Sequence, residues 1–78
     1  MKPTEYTYKG KTYIQYHGNP FDRGSADSYY HRARDPHLYP AGTGNGERIT
    51  AENMAPEEIE AYHAGYDYNE EFGDKKEW

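Results

Sequence analysis

The chain has 78 residues, a formal net charge of −5, a mean hydropathy of −1.38, ten tyrosines and no cysteine. That length permits one domain, near the size at which a single core is only marginally stabilising. The lack of cysteine excludes disulfides and thiolate metal sites, and no apolar run approaches a signal peptide or a membrane span, so the expected location is the cytoplasm. One leucine, three isoleucines and no valine leave tyrosine to supply much of the buried area.

Residues 4–17 are rich in β-branched and aromatic side chains around Lys9-Gly10-Lys11, which predicts a β-hairpin. A three-residue loop Tyr8-Lys9-Gly10, with Gly10 left-handed, would place Tyr6, Ile14 and Tyr16 on one face. Asn19-Pro20 reads as a turn. Ala26, Tyr29, Tyr30 and Ala33 then recur at helical spacing, predicting a short helix over about 25–34, with Asp22, Ser25 or Asp27 as its cap and Asp35-Pro36 as its stop.

Proline and glycine punctuate residues 35–48, which read as an irregular loop anchored by Leu38 and Tyr39. The run from Gly42 to Gly46 lacks the Lys-Ser/Thr of a Walker loop and the spacing of a dinucleotide turn, so it reads as a flexible loop. Pro56-Glu57-Glu58 opens a longer helix over about 56–72. Its apolar positions form two adjoining stripes: Ile59, Tyr62, His63 and Tyr66, then Ala61, Gly65, Tyr68 and Phe72. Gly65 in a helix interior predicts close approach of another backbone. The fold class is therefore α+β: one small domain in which a hairpin packs with a short central and a longer C-terminal helix.

Charge is uneven, with a net of +2 over residues 1–50 and −7 over residues 51–78. An acidic C-terminal part argues against direct nucleic-acid binding, which wants a basic face, and invites internal pairing or a basic partner. Arg23, Arg32 and Arg34 fall outside the apolar stripe of the short helix. They read either as solvated or paired charges, or as a cluster that grips a phosphate or a partner's carboxylate.

No catalytic residues emerge. Ser25 or Ser28 near His31 lacks an orienting third group, and Glu57, Glu58 and Glu60 suit a helix start in their own right. His17, His31, His37 and His63 fit no zinc spacing, leaving His31 and His37 with Asp35 as weak metal candidates. Neither enzymatic activity nor a cofactor is expected. The candidate partner-binding residues are Arg23, Tyr29, Tyr30, Arg32, Arg34, Glu57, Glu58, Glu60 and Trp78.

Asp22-Arg-Gly-Ser-Ala-Asp-Ser-Tyr-Tyr30, Asp35-Pro-His37, Glu58-Ile59, Ala61-Tyr-x-x-Gly-Tyr66, Asn69-Glu70 and Gly73-Asp-Lys-Lys-x-Trp78 together resemble a family of short, uncharacterised proteins of tailed bacteriophages. The resemblance spans about residues 18–78. It implies a phage accessory protein acting in a bacterial host cell and hands over no catalytic residues. Asn19-Pro-Phe21 and Ala61-Tyr-His-Ala-Gly-Tyr66 are also similar to pieces of ribosome modulation factor-type proteins, in reverse order; those proteins are strongly basic, and this chain is acidic. The expected function is thus non-enzymatic: binding and modulating or inhibiting a host protein, such as a defence or restriction component. The alternatives are a small ligand- or metal-binding module, or a minor virion or assembly component. A homodimer would add burial to a marginal core.

Overall fold

A computed structural model describes residues 4–42 and 46–77. The order is β1 (Thr4–Tyr8), β2 (Lys11–Gln15), α1 (Pro20–Tyr29), β3 (His37–Leu38), β4 (Ile49–Thr50), a single 3-10 turn (Ala51–Asn53) and α2 (Pro56–Phe72). The chain is an α+β protein, as its residue pattern predicts. Among the described residues, no helix is long and apolar enough to cross a membrane. Trp78 and the middle of the glycine run, residues 43–45, lie outside the described residues.

β1 and β2 pair antiparallel with Tyr6 opposite Tyr13 and Tyr8 opposite Lys11. The loop is therefore the two residues Lys9-Gly10, not three. Both have positive φ, 50° and 80°, as a type I′ turn requires. Because side chains alternate along a strand, the different register turns the faces over. Tyr6, Tyr8 and Tyr13 point inward, while Ile14 and Tyr16 stand 50% and 55% exposed. The shared face expected for Tyr6, Ile14 and Tyr16 does not form.

α1 starts earlier and stops earlier than expected. Asn19 is the N-cap: its side chain accepts the Asp22 N–H at 2.9 Å, and Pro20 occupies the first turn, where its missing N–H costs nothing. Asp22 reaches back to the Gly18 N–H at 3.0 Å and also takes a hydrogen bond from Gln15. Ser25 is thus inside the helix and is not its cap. At the other end the Arg32 N–H donates to the Asp27 carbonyl (2.8 Å) and the His31 N–H to the Ser28 carbonyl (3.1 Å). This is a Schellman closure with His31, at φ 61°, in the left-handed position that glycine usually fills.

The shifted boundaries rotate a different face inward. Phe21, Gly24, Asp27 and Ser28 are buried, whereas Tyr29 and Tyr30 are 37% and 40% exposed. Phe21, 1% exposed, stacks on Tyr6 and Tyr13 at centroid distances of 5.3 and 5.5 Å. Tyr68 closes this aromatic cluster edge-on to Tyr6. Aromatic pairs at these separations contribute beyond their buried area.

α2 covers the other side. Pro56 opens it, and the Glu58 carboxylate accepts the Ala55 N–H at 2.7 Å. The helices cross where Gly24 and Gly65 face one another's backbone. A methyl group at Gly65 would sit 2.1 Å from the Phe21 carbonyl oxygen, and one at Gly24 would sit 2.0 Å from that of Tyr62. The close approach predicted from Gly65 is present. Tyr62, Ala64, Gly65 and Asn69 form the buried face of α2, while Phe72, expected in the apolar stripe, is 68% exposed.

Candidate functional site

The loop expected over 35–48 carries one ordered crossing: His37 pairs with Thr50 and Leu38 with Ile49. That two-residue ladder brings Arg48 beside Asp35, 2.9 Å away. The Schellman turn at His31 sends residues 32–35 back across α1 and α2, held where the Tyr66 hydroxyl donates to the Arg32 carbonyl. Between these segments lies a cleft of about 380 Å³. Four arginines line it, Arg23, Arg32, Arg34 and Arg48, with only two carboxylates, Asp27 and Asp35. On a chain of net charge −5, this is a local excess of positive charge.

Its floor is a buried polar network. Tyr62 is fully buried; its hydroxyl donates to Asp27 and accepts the Asp35 N–H at 3.0 Å. Arg23, only 11% exposed at its side chain, approaches Asp27 to 3.9 Å, and its Nε–H donates to His37 Nε2 at 3.0 Å. An arginine is always a donor, so His37 Nε2 carries the lone pair. His37 Nδ1–H then donates to the Asp35 carbonyl at 2.6 Å.

The rim is built from stacked guanidinium groups. Arg32 packs over Tyr30 at 5.1 Å and approaches Asp27 to 3.6 Å. Arg34 stacks on Tyr66 at 4.3 Å, donates to His63, and pairs with Asp67. Arg23 packs against Tyr39 at 5.6 Å. Hydrogen bonding to Asp67 and to Asp35 raises the affinity of Arg34 and Arg48 for their protons, so both stay charged.

The structure thus gathers three of the candidate residues, Arg23, Arg32 and Arg34, around one cleft, with Tyr30 beneath Arg32 and Tyr29 edge-on to Tyr30 at 4.9 Å. The acidic candidates lie elsewhere. Glu58 caps α2, and Glu60 takes hydrogen bonds from Lys11 and Tyr13 of the hairpin, which hold its carboxyl below the usual range. Glu57 is exposed near the start of α2. The acidic face is therefore largely occupied by contacts within the chain. Arg48, Asp27 and Tyr62 belong to the cleft but carry no local signal, since a contact across 13 to 35 residues leaves no spacing to read.

The metal candidates do not converge. His37 has both ring nitrogens engaged, while His31 Nε2 bonds the Lys76 carbonyl at 2.9 Å on the far side of the turn. Among the described residues, no group of three or more His, Asp or Glu side chains could hold a metal ion.

Burial and the bond to Asp27 push the Tyr62 phenol well above its ordinary value of 10.0. A group whose folded-state value is raised stabilises the fold fully below its unfolded value and loses that contribution as pH rises. Stability is therefore expected to fall from about pH 10 upward. In an alkaline absorbance titration, one tyrosine should ionise only together with unfolding, and Tyr62→Phe should abolish that coupled step. A titration in which all tyrosines ionise before unfolding contradicts this burial.

Comparison with models of protein families, with curated proteins and with solved structures returns no match.

Proposed function

We propose that this protein is a non-enzymatic binding module that docks on a partner protein through its arginine cleft and tyrosine rim, modulating that partner. The observation that carries the reading is the convergence of Arg23, Arg32, Arg34 and Arg48 from α1, the turn after it and the approach to β4. They stand beside two exposed tyrosines on an otherwise acidic chain. Arginine and tyrosine are the residues that interfaces enrich and that carry disproportionate binding energy. The guanidinium groups are already held by stacking and ion pairs, which reduces the entropy lost on docking. The resemblance to short phage proteins supports a host protein as the partner. The partner surface must present anionic groups to the cleft.

The test is affinity capture from phage-infected bacterial cells with wild type, Tyr30→Ala/Arg32→Ala and Glu57→Gln. Tyr30 and Arg32 are exposed, so their truncation should leave the melting temperature within a few degrees. One protein should be recovered stoichiometrically by wild type and Glu57→Gln and lost with the double variant. Equal recovery by all three, or none by any, overturns the reading.

A further inference from the structure

We propose that the arginine cleft is a receptor for a dianionic phosphate monoester, presented by a phosphorylated side chain or by a free phosphate. This deepens the binding reading above, because it names the group that the same cleft takes.

Charge balance comes first. Four guanidinium groups line a cleft of about 380 Å³ with Asp27 and Asp35, and Asp67 pairs with Arg34 from beside it, leaving an excess of one positive charge. A phosphate monoester carries about −1.5 to −2 at pH 7, so the guest takes up that excess. The rest of the chain is strongly acidic, which disfavours anions elsewhere on the surface.

Donor geometry distinguishes phosphate from carboxylate. One arginine fork can satisfy the two oxygens of a carboxylate, whereas Asp67 and Asp35 each take one nitrogen, from Arg34 and Arg48. A tetrahedral phosphoryl group has three free oxygens and needs donors from several directions. Here they come from α1, from the segment after it and from the approach to β4. Arg32 approaches its carboxylate only to 3.6 Å, and Arg48 gives one nitrogen to Asp35. Each guanidinium has five N–H donors, so donors are left at the rim for a guest.

Preorganisation completes the case. Arg32 and Arg34 rest on the faces of Tyr30 and Tyr66, which holds each guanidinium plane; the Arg34 edge is further fixed by His63 and Asp67. Arg23 sits at the floor between His37 and Tyr39. It cannot swing out to neutralise an unrelated charge.

The test is an NMR titration of the full chain, observing the arginine Nε–H signals, with sodium phosphate, O-phosphoserine and sodium acetate at matched ionic strength. Saturable shifts are expected at Arg32, Arg34 and Arg48 with both phosphates. The affinity should rise between about pH 5 and pH 7 as the second phosphate proton leaves. Acetate should produce no saturable shift. Arg48→Gln and Arg32→Ala, both at exposed positions, should each weaken binding about tenfold, the effect of losing one charge-assisted pair, while Lys9→Gln on the hairpin turn changes nothing. Tighter binding of O-phosphoserine would assign the guest to a phosphorylated side chain, and tighter binding of inorganic phosphate to the free anion. Absence of saturation with either phosphate, an equal response to acetate, or insensitivity to both arginine variants overturns the proposal. Because no partner is present in this titration, such a failure beside intact partner capture would sink the phosphate assignment alone.

Discussion

Gly65→Ala is expected to lower the melting temperature by about 12–24 °C. The added methyl would sit 2.1 Å from the Phe21 carbonyl oxygen, 2.8 Å from its carbon and 3.0 Å from its Cα. All three are backbone atoms, so no side chain can rotate out of the way and α1 must shift bodily. Overpacking costs about 1–3 kcal/mol when side chains can adjust and more when backbone must move. At about 3 kcal/mol, a domain of this size loses the stated interval. A domain of this length holds roughly 4–12 kcal/mol in total. Helix propensity alone predicts the opposite sign, a gain of about 1 kcal/mol for replacing an interior glycine. Gly24→Ala, with its methyl 2.0 Å from the Tyr62 oxygen, should behave like Gly65→Ala. A raised or unchanged melting temperature in either variant would show that the helices do not cross at these glycines.

Phe21→Ala is the second large effect, with an expected loss of about 3–5 kcal/mol. The ring is 1% exposed and is stacked on Tyr6 and Tyr13 of the hairpin. Truncation removes its transfer energy and leaves a cavity bounded by Tyr6, Tyr13 and Tyr68, which cannot all close on it while the strands stay paired. Urea denaturation should show the midpoint moving sharply down, with loss of the near-ultraviolet dichroism of the packed rings. Phe72→Ala is the matched control. That ring is 68% exposed, and its loss should change stability by no more than about 0.5 kcal/mol. Reversal of this ranking would mean that the hairpin packs through its other face.

These two phenylalanines show where the fold is legible in the sequence. The hairpin, the helix over 56–72 and the tight contact at Gly65 follow from local chemistry: β-branched runs around a glycine, a proline and acids in a first turn, and a glycine inside a periodic stripe. Register does not follow, because Lys9-Gly10 supports either loop length. One residue of slip exchanges Tyr13 for Ile14 on the inner face. The start of α1 was open to reading, since asparagine followed by proline is an N-cap and first-turn pair as well as a turn. Its end was not, because His31 holds the left-handed position without the glycine that normally marks one. With both ends displaced, Tyr29 and Tyr30 of the periodic stripe stand at the surface, and Phe21 is in the core.

The candidate site divides along the same line. Arg23, Arg32 and Arg34 stand close together in sequence, so their clustering could be anticipated. Arg48 reaches them only through the pairing of His37–Leu38 with Ile49–Thr50, two residues on each side and too short to announce themselves by pattern. The acidic residues of α2 looked equally available. Glu58 and Glu60 are instead engaged in capping the helix and in holding the hairpin.

The most direct test of the arginine cleft as the docking surface is a binding isotherm. The partner recovered from infected cells is titrated into wild type, Arg32→Ala, Arg48→Gln and Glu57→Gln, each checked for an unchanged melting temperature. Each arginine variant should weaken binding at least about tenfold, the effect of losing one charge-assisted contact, and Glu57→Gln should match wild type. Wild-type affinity in both arginine variants together with weakened binding by Glu57→Gln would place the interface on the acidic helix and contradict the account.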